Sequence, residues 1–475
     1  MNQALHVTYL LSLFLTSHYL FFFSEELRAN EDKNNLTWLA FGDLRGNIEP
    51  CGCDPNSDFG GVRRLSQVIQ LEKSKNSLLI NLGNIFSNKT EDSINSEYIL
   101  KAIASTSPDV SLLNRTEIYN LKNLNSTFNK DAKKLNFILS NFSSKVKRPL
   151  VLKEVWSNDD AIFLGYTHYS DTNLWTMPID QKILTHWRSL IGKSSNRKTF
   201  LLFSGSEQDL KKILNTITFD YVLRSNPTPI DAILTQAEMK DDSILFNYVN
   251  SQLVDTVPVG GQGIIRPALK NSSSTAIPDL SKLIFKRDLT ETTAGPKNPR
   301  LSFGFDKNAR TIWLSKIFEH GAPLKNLIDE YYERKRSAFR AKNSLKPSSA
   351  EMGFVGSSKC IACHSKAYET WSKSSHAHAL DTLKQQNKHE VDDCIQCHVV
   401  SYKNLSPYQN EQATPHLGNV QCENCHGPRR EHIKNPLVQV AKKKVSPNTD
   451  ICLSCHNTAH SPLFDAKKYW EKITH

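Results

Sequence analysis

The sequence has no apolar run of membrane-spanning length after residue 23, no extended block of like charge and no methionine after Met352. Without further apolar runs of about 20 residues, the chain is not a multi-pass membrane protein. The formal charge is +11 over 475 residues, but Lys and Arg are dispersed, so we predict a solvated surface and no nucleic-acid binding. The absence of methionine from the last quarter excludes it as a metal ligand there.

The one long apolar run, residues 7–23, contains no Asp, Glu, Lys or Arg. The residues before it also lack Lys and Arg, and no clear small-residue cleavage site or closely following cysteine is present. Its length falls between that of a signal peptide and that of a short membrane span. We therefore predict that residues 1–30 are either a signal peptide or an N-terminal membrane anchor. Both alternatives imply a periplasmic or otherwise exported protein.

The pattern Cys-x-x-Cys-His occurs four times in the last quarter and uses eight of the ten cysteines. In c-type haem attachment, two thiols at this spacing form thioethers with the haem, and the following histidine binds the iron. The pattern therefore predicts four haem c groups. The predicted thioether cysteines are Cys360, Cys363, Cys394, Cys397, Cys422, Cys425, Cys452 and Cys455, and the predicted proximal ligands are His364, His398, His426 and His456.

A zinc site or a thiol redox pair is the alternative interpretation of Cys-x-x-Cys. Zinc ribbons pair two such motifs about 15 to 20 residues apart. Here the first cysteines of successive motifs are 34, 28 and 30 residues apart, and a histidine follows every copy. Zinc does not require that histidine, so the pattern favours haem.

Residues 36–320 alternate strand-like apolar runs with helical patterns, which predicts an α/β domain. The predicted strands are 36–41, 78–82, 137–140, 162–166, 199–203, 221–223 and 244–249. Predicted helices include 62–73 and 209–217. For residues 321–352 the pattern predicts a charged amphipathic helix, 323–342, followed by a linker. From residue 353 to 475 strand-like runs are absent, which predicts a small, mainly helical or irregular haem domain.

The stretch FVGSSKCIACH at 354–364, followed by SSHAHA at 374–379, resembles the multihaem cytochrome c family of the cytochrome c-552/4 tetrahaem type. GNVQCENCHGP at 418–428 resembles the same family. The resemblance covers residues 353–475 and implies an electron carrier. It also implies that His376 and His432 are distal haem ligands.

Seven histidines outside the motifs lie in this part of the chain, so bis-histidine or open iron sites are the remaining choices. His416 and His460 are further candidate distal ligands, whereas His378, His389 and His475 are predicted at the surface. The family has a third distal histidine before the fourth motif. This sequence has none between His432 and Cys452, which leaves one iron without an assigned sixth ligand.

DLRGNIEPCGC at 43–53, with GGVRR at 60–64, resembles the start of metallophosphoesterase domains related to 5′-nucleotidases, in the variant fused to multihaem cytochromes. The resemblance implies an α/β metallophosphoesterase-like sandwich over 36–320. Active members hold two metal ions, which stabilise the attacking and leaving oxygens of phosphoryl transfer.

Most of the expected metal ligands are replaced in this chain. Asp43 is retained, but Arg45 stands where a histidine is expected, and Asn84 stands where a carboxylate is expected. The later histidine positions read Asn114-Arg115, Ser204-Gly205 and Ser225-Asn226. Arg45 would place a fixed cation where a metal ion should sit. We therefore predict a phosphoesterase fold without phosphoesterase activity.

Two features of this stretch have two alternative interpretations each. Cys51 and Cys53 are either a structural pair in a tight loop or a soft-metal or thiol-exchange site. Gly60 and Gly61 either begin a helix that accepts an anion or precede a buried structural pair, Arg63 and Arg64.

Three functional hypotheses follow from the sequence. The first is an exported electron carrier with four haems, redox-protein partners and a non-catalytic N-terminal domain for docking or ligand binding. The second is a multihaem reductase of a nitrogen or sulfur oxyanion, which needs an iron with an open position. The third is residual metal-dependent phosphoesterase activity.

Overall fold

The structure is a computed structural model. It describes residues 36–50, 58–87, 92–123, 130–143, 145, 152–168, 175–192, 196–225, 246–258, 262–267, 311–314, 316–319, 324–344, 352–401, 406–437, 450–456, 461 and 464–475. The chain divides into two compact units, and the main division lies between Leu324 and Lys325.

The N-terminal unit contains two six-stranded sheets. The strands of the first are β1 (Trp38–Phe41), β2 (Leu78–Asn81), β3 (Val110–Leu112), β4 (Phe137–Ile138), β11 (Gly263–Ile265) and β12 (Thr311–Trp313). Their order is β12-β11-β1-β2-β3-β4. Strands β1 to β4 are parallel, whereas β11 and β12 join the β1 edge in antiparallel pairing. The carboxyl ends of β1, β2 and β3 therefore lie at one edge of this sheet.

The second sheet consists of β5 (Val155–Ser157), β6 (Ala161–Thr167), β7 (Lys198–Ser204), β8 (Tyr221–Arg224), β9 (Phe246–Val249) and β10 (Gln252–Thr256). Its strand order is β5-β6-β7-β8-β10-β9. The four central strands are parallel, and both edge strands are antiparallel.

One apolar core is shared by the two sheets, because alternate side chains of each strand point to the same face. Trp38, Ile80 and Leu112 of the first sheet pack in one cluster with Phe163 and Phe200 of the second. The Phe163 and Phe200 rings are stacked with their centroids 4.3 Å apart. This common core makes the unit an α/β sandwich, as the sequence predicted.

Five helices belong to the described part of this unit: α1 (Val62–Glu72), α2 (Ser93–Thr106), α3 (Arg115–Asn123), α4 (Gln181–Gly192) and α5 (Glu207–Leu214). Helices α4 and α5 cover the outer face of the second sheet. There, Trp187 and Leu210 pack with the alternate strand residues Tyr166 and Phe203. In this layer, alternate strand side chains face outward, and the apolar faces of the two helices cover them.

The C-terminal unit contains only helices and short turns in its described residues, apart from one isolated bridge between Val399 and Gly418. Its longest helix is α6 (Lys325–Asn343). The others are α7 (Ser365–Ser372), α8 (Ala379–Gln385), α9 (Asp392–Ile395), α10 (Cys422–His426), α11 (Arg430–Lys434), α12 (Asp450–Leu453) and α13 (Ala466–Trp470). The predicted small helical domain is therefore confirmed as a fold class.

Helix α6 is held on this unit by packing and by charge. Phe339 is buried in the same apolar cluster as Phe354 and Leu380. Along the helix, Lys335 pairs with Asp393 at 3.0 Å and Lys342 with Asp392 at 2.7 Å. These two carboxylates open helix α9, which carries Cys394, so α6 supports the second motif.

All seven predicted strands are found, and the structure adds β3, β5, β10, β11 and β12, which are short and carry weak alternation. The predicted helices 62–73, 209–217 and 323–342 correspond to α1, α5 and α6. No helix within the described residues is both long and apolar enough to cross a membrane. The predicted signal or anchor, residues 1–30, lies outside the described residues, as do Cys51, Cys53 and His460.

Candidate functional site

Each Cys-x-x-Cys-His motif is folded into a single helical turn. The His364 amide donates to the Cys360 carbonyl at 2.9 Å, and the His456 amide donates to the Cys452 carbonyl at 2.9 Å. The third motif is itself helix α10, and Cys394 lies in helix α9. A helical turn brings residues three and four positions apart onto one face, so the two thiols and the histidine of a motif can contact the same haem.

The third motif is fixed by two buried polar side chains. The Glu423 carboxylate is fully buried and accepts hydrogen bonds from the amides of Val355 (3.0 Å), Gly356 (2.8 Å) and Arg429 (2.9 Å). Gln421 accepts from the Ser357 amide at 2.5 Å. Together they join the third motif to the segment that precedes the first.

The first and third motifs are neighbours. The Cys360 thiol hydrogen-bonds to Cys422, and this bond, together with burial, holds the pKa of Cys360 well above its usual range. The same hydrogen bond lowers the pKa of Cys422. His426 also lies close enough to His364 for their charges to interact. The two predicted haem sites therefore adjoin each other.

Three motif histidines each face a second histidine. The ring centroids are 6.3 Å apart for His364 and His432, and 6.1 Å apart for His376 and His456. For His426 and His475 the centroid distance is 6.0 Å. Each pair joins a motif to a part of the chain distant from it in sequence.

These distances fit a metal ion between the two rings of each pair. An imidazole nitrogen binds a transition metal at about 2 Å and lies about 1.1 Å from its ring centre, so two rings on opposite sides of one metal have centres about 6 Å apart. Such rings can rotate about the shared axis, so the interplanar angles of 38°, 48° and 62° are all compatible with it. The residues present therefore fit a bis-histidine iron at these three places.

Burial favours the neutral, ligating form of several of these histidines. It lowers the pKa of His376, with a further contribution from the nearby His456, and it lowers the pKa of His456 itself. For His426 burial is again the main cause of a lowered pKa, followed by the charges of His475 and Arg429. An imidazole must be neutral to bind iron, so these environments suit coordination.

The ring of His456 is positioned by its neighbours. The Phe464 ring stacks on it with centroids 4.4 Å apart and an interplanar angle of 11°. The Nδ1 atom of His456 lies 3.2 Å from the Ser461 hydroxyl, which leaves Nε2 for a metal.

The second motif differs from the other three. The Nδ1 atom of His398 donates to the Ala379 carbonyl at 2.5 Å, so its Nε2 atom is available to an iron. Among the ring contacts of the described residues, however, no second histidine faces His398. This is the motif at which the described structure offers no sixth ligand.

The predicted distal ligands have different outcomes. His376 and His432 each lie opposite a motif histidine, and the buried Nδ1 atom of His432 has no hydrogen-bond partner within the described part of the chain. His416 is exposed and faces no motif histidine among the described residues. His475, predicted at the surface, is exposed but lies opposite His426. Nothing in the sequence near either residue indicates that His426 and His475 form a pair.

The positions expected to hold metal ions in the N-terminal unit converge at the carboxyl ends of the strands. The Asn84 amide donates to Asp43 at 3.2 Å and to the Ser225 hydroxyl at 3.3 Å. The Ser204 hydroxyl donates to the Asn114 side-chain oxygen Oδ1 at 3.0 Å, and the Asn114 side-chain amide donates to the Ser225 hydroxyl at 3.5 Å. We call these five residues the polar cluster.

Asp43, the one retained ligand, is paired with an arginine. Arg45 contacts it through Nε at 3.2 Å and through a terminal nitrogen at 3.1 Å. No group of three or more His, Cys, Asp or Glu side chains that could hold a metal ion is found in the described ranges. His168 and His186 lie elsewhere, and each contacts one carboxylate, Asp209 and Glu154 respectively.

Of the two arginines in the predicted anion site, Arg64 is a buried structural residue. Its guanidinium pairs with Asp58 at 2.9 Å and with Glu319 at 3.1 Å. Helix α1 begins directly after Gly61, whose φ of 91° favours glycine. The structural interpretation of Arg64 is therefore the one that the contacts support.

A C-terminal unit with four such motif turns and opposed histidine pairs has the features of a multihaem c-type cytochrome. The family model described as "Cytochrome c554 and c-prime" matches residues 359–427, in agreement with the resemblance predicted from the sequence. The matched range contains the first three motifs. The chain is also 29% identical over 157 residues to cytochrome c-554 from Nitrosomonas europaea, covering 26% of this chain and 67% of that protein.

Solved structures similar to this chain include a sulfate thiohydrolase from Thermus thermophilus (13% identity, TM-score 0.35, 50% of this chain and 54% of that one). A calcineurin-like phosphoesterase from Bacillus subtilis has 14% identity and a TM-score of 0.35, with 50% and 86% covered. A 5′-nucleotidase precursor, also from Thermus thermophilus, has 11% identity and a TM-score of 0.38, with 50% and 51% covered.

The chain spans about half the length of two of these three structures. The fold of the N-terminal unit is assigned from its own strand order. Both resemblances predicted from the sequence, to multihaem cytochromes and to metallophosphoesterases, are found.

Proposed function

We propose that the protein is an exported multihaem c-type cytochrome that transfers single electrons through four covalently bound haems. The observation that carries this proposal is the set of three histidine pairs whose ring centroids lie 6.0 to 6.3 Å apart. A pair at this separation has room for one iron and for nothing larger along the axis. Three of the four motifs supply one member of such a pair.

The side chains that would hold the haems are those of the motifs. The two thiols of each motif would anchor the group, and His364, His398, His426 and His456 would bind its iron. A bound haem c supplies a reversible one-electron iron couple. His432, which faces His364, and His376, which faces His456, would bind iron as well. Because no methionine is present in this unit after Met352, histidine ligation favours low potentials.

The contacts between motifs support electron transfer between neighbouring sites. The Cys360 and Cys422 side chains touch, and Cys425 lies within electrostatic range of Cys452 and Cys455. The first, third and fourth motifs therefore form one contiguous group, which suits a carrier with closely spaced redox centres.

For the N-terminal unit we propose a non-catalytic role in docking a redox partner or binding a ligand. The polar cluster supports this proposal, because amides and hydroxyls occupy the ligand positions and satisfy one another by hydrogen bonds. Arg45 compensates the charge of Asp43, which removes the electrostatic attraction for a divalent cation. A phosphate-ester hydrolysis assay with added Mn²⁺ or Zn²⁺ should show no metal-stimulated rate, and robust hydrolysis would contradict this role.

The proposed setting is the periplasm or another exported location, with redox proteins as partners. Haem c attachment takes place on that side of the membrane. Residues 7–23 would associate the protein with the membrane if they are an anchor and would be removed if they are a signal peptide. Fractionation of the expressed chain, followed by N-terminal sequencing of the mature protein, would separate these two alternatives.

The direct test is expression of the full chain in a host that attaches haem c. A pyridine haemochrome assay should give four haems per chain, and a redox titration should resolve several one-electron steps at low potential. Fewer than three covalent haems would contradict the proposal.

A second candidate function, reduction of a nitrogen or sulfur oxyanion, is favoured by one observation. His398 faces no second histidine among the described residues, so the described part of the chain gives an iron bound there no sixth ligand. Addition of nitrite, hydroxylamine or sulfite should then shift a high-spin signal of the haem-loaded protein. Unchanged spectra with all three would leave electron transfer as the function.

A further inference from the structure

We propose that His475 is the sixth ligand of the iron that His426 binds. This inference rests on the proposed haem function and assigns one of its ligands. It gives the third motif a bis-histidine site built from a residue of the segment that follows helix α13. The sequence alone predicted a surface position for this histidine.

The ring geometry is the first argument. The His426 and His475 centroids are 6.0 Å apart, with an interplanar angle of 62°. This separation matches those of the His364/His432 and His376/His456 pairs, at 6.3 and 6.1 Å. It is too long for ring stacking and agrees with the spacing of about 6 Å expected of two imidazoles on one metal.

The hydrogen bond of His475 gives the second argument. Its Nδ1 atom lies 2.9 Å from the Ile473 carbonyl oxygen. A carbonyl can only accept, so Nδ1 must carry the proton, and the lone pair of the neutral ring is then on Nε2. A hydrogen bond from Nδ1–H to a backbone carbonyl is the usual way in which a ligating histidine is oriented. His398 has the same arrangement with the Ala379 carbonyl.

The backbone before His475 provides the third argument, because it is a continuous series of turns. Asp465 caps helix α13 by accepting from the Lys467 and Lys468 amides at 3.1 and 3.2 Å. After the helix, the Ile473 and Thr474 amides both donate to the Trp470 carbonyl, at 3.1 and 3.0 Å. The ring of His475 is thus placed by hydrogen-bonded structure that extends from Asp465.

Helix α13 is also anchored at the fourth motif. The Tyr469 ring lies 5.2 Å from Phe464 and 6.0 Å from His456, measured between centroids. One end of this segment therefore contacts the histidine of the fourth motif, while His475 faces the histidine of the third. The segment after the fourth motif links the two sites.

The other histidines do not compete for this position within the described residues. His432 and His376 face other motif histidines, and His416 is exposed on a 3₁₀ turn, Pro415–Leu417. Between His432 and Cys452, where a distal histidine is expected by family resemblance, the sequence contains none. His475 fills that role from a different part of the chain.

The test is the variant His475→Ala in the full, haem-loaded chain, with His378→Ala as the matched control, because the His378 side chain is 67% exposed; His460→Ala is made as the rival variant. Haem content is measured by pyridine haemochrome, and spin state by electron paramagnetic resonance and visible absorption. We expect His475→Ala to keep the wild-type haem content and to gain one high-spin haem equivalent per chain, and added imidazole to reverse that gain. The control His378→Ala should keep the wild-type spin state.

An unchanged low-spin spectrum of His475→Ala, with wild-type haem content, would overturn this inference and leave the proposed function intact. A high-spin gain in His460→Ala and none in His475→Ala would overturn it in favour of His460. A wild-type chain without covalent haem would overturn the proposed function itself. His475→Met provides a second readout, because methionine ligation should keep the site low-spin and raise one potential in a redox titration.

Discussion

At the scale of single residues, what separates a ligand histidine from a surface histidine is the partner opposite its ring. His376 and His378 are two residues apart on the same 3₁₀ turn. The ring of His376 is partly buried and faces His456, whereas the side chain of His378 is 67% exposed and lies 3.7 Å from Asp381. Sequence resemblance selected His376 by its position in the motif, and the structure adds a physical reason for that choice.

This pair offers a matched test. His376→Ala should convert the haem of the fourth motif from low-spin to high-spin, because the site opposite His456 would then be empty. His378→Ala should leave all spin states unchanged. Electron paramagnetic resonance of the two haem-loaded variants measures both outcomes, and a spectral change in His378→Ala alone would contradict the assignment.

The buried Glu117 carboxylate beside the polar cluster gives a pH-dependent prediction. It is fully buried and accepts from the Ile85 amide at 2.8 Å, and burial raises its pKa above the ordinary 4.5. The folded chain then holds a proton that the unfolded chain has lost above pH 4.5, so stability falls as pH rises through the raised pKa. Glu117→Gln, which is neutral, should lose part of this dependence.

Denaturant unfolding of the N-terminal unit in the full chain, followed from about pH 4 to pH 8, measures this effect. The difference in unfolding free energy between Glu117→Gln and wild type should move in favour of the variant as pH rises. Glu72→Gln is the control. The Glu72 carboxylate is partly exposed and pairs with Arg266 at 2.7 Å, so its neutralisation should not raise the unfolding free energy as pH rises. A pH-independent difference for Glu117→Gln would contradict the account.

At the scale of elements, the third motif depends on hydrogen bonds that Glu423 accepts from outside its own helix. Glu423→Ala would leave the amides of Val355, Gly356 and Arg429 without this acceptor in a buried place. Buried donors without partners cost about 1–3 kcal/mol each, so we expect a loss of about 3 kcal/mol in unfolding free energy. Denaturant unfolding of the haem-loaded chain measures it.

The control for Glu423 is Glu431→Ala on helix α11, because the Glu431 side chain is 81% exposed. This variant should change stability by less than about 0.5 kcal/mol. Equal effects of the two substitutions would show that the carboxylate of Glu423 does not organise the motif.

The turn after strand β2 gives a second element-scale prediction. Gly83 has a φ of 74°, and a Cβ atom there would lie 2.7 Å from the Leu112 carbonyl oxygen. Gly83→Ala should therefore destabilise the N-terminal unit by about 1–3 kcal/mol through backbone strain, with the clash as a further cost. Gly192→Ala, at the end of helix α4 with open space around its Cβ position, should be neutral or slightly stabilising. Thermal unfolding of both variants compares them, and equal melting temperatures would contradict the prediction.

The sequence predicted the central parallel strands but missed the short ones. Strands such as β6 and β7 are seven residues long and almost continuously apolar, as expected of parallel strands buried on both faces, and this apolar run marks them clearly. Strands such as β3 and β11 have only three residues, and they are stabilised by pairing with β2 and β1 rather than by their own composition. A strand that is stabilised mainly by a partner distant in sequence has no local apolar pattern from which it can be predicted.

The same reasoning applies to the candidate site. The Cys-x-x-Cys-His motifs are local, so all four can be read from the sequence, and His376 and His432 were proposed from residues near the motifs. The pairing of His426 with His475 joins parts of the chain that are distant in sequence, and it could not be seen without the fold. The members of the polar cluster were placed at one site by the family resemblance, and most of them directly follow a strand that the apolar pattern predicts.

At the scale of the whole molecule, the two units differ in the chemistry that their polar residues support. In the N-terminal unit the former metal positions are satisfied by hydrogen bonds and by the pair of Asp43 and Arg45. In the C-terminal unit, three histidine pairs keep the separation that an iron requires. This contrast supports the redox chemistry proposed for the second unit.

The most direct test of this account is a spin-state count on the oxidised, haem-loaded wild-type chain, by electron paramagnetic resonance calibrated against a pyridine haemochrome assay. We predict four covalent haems, with three low-spin haems from the histidine pairs. A high-spin fourth haem would support the open position at the second motif, whereas four low-spin haems would remove the basis for oxyanion reduction and leave electron transfer as the function. A chain with mostly high-spin haem would contradict the bis-histidine pairs on which the proposed function rests.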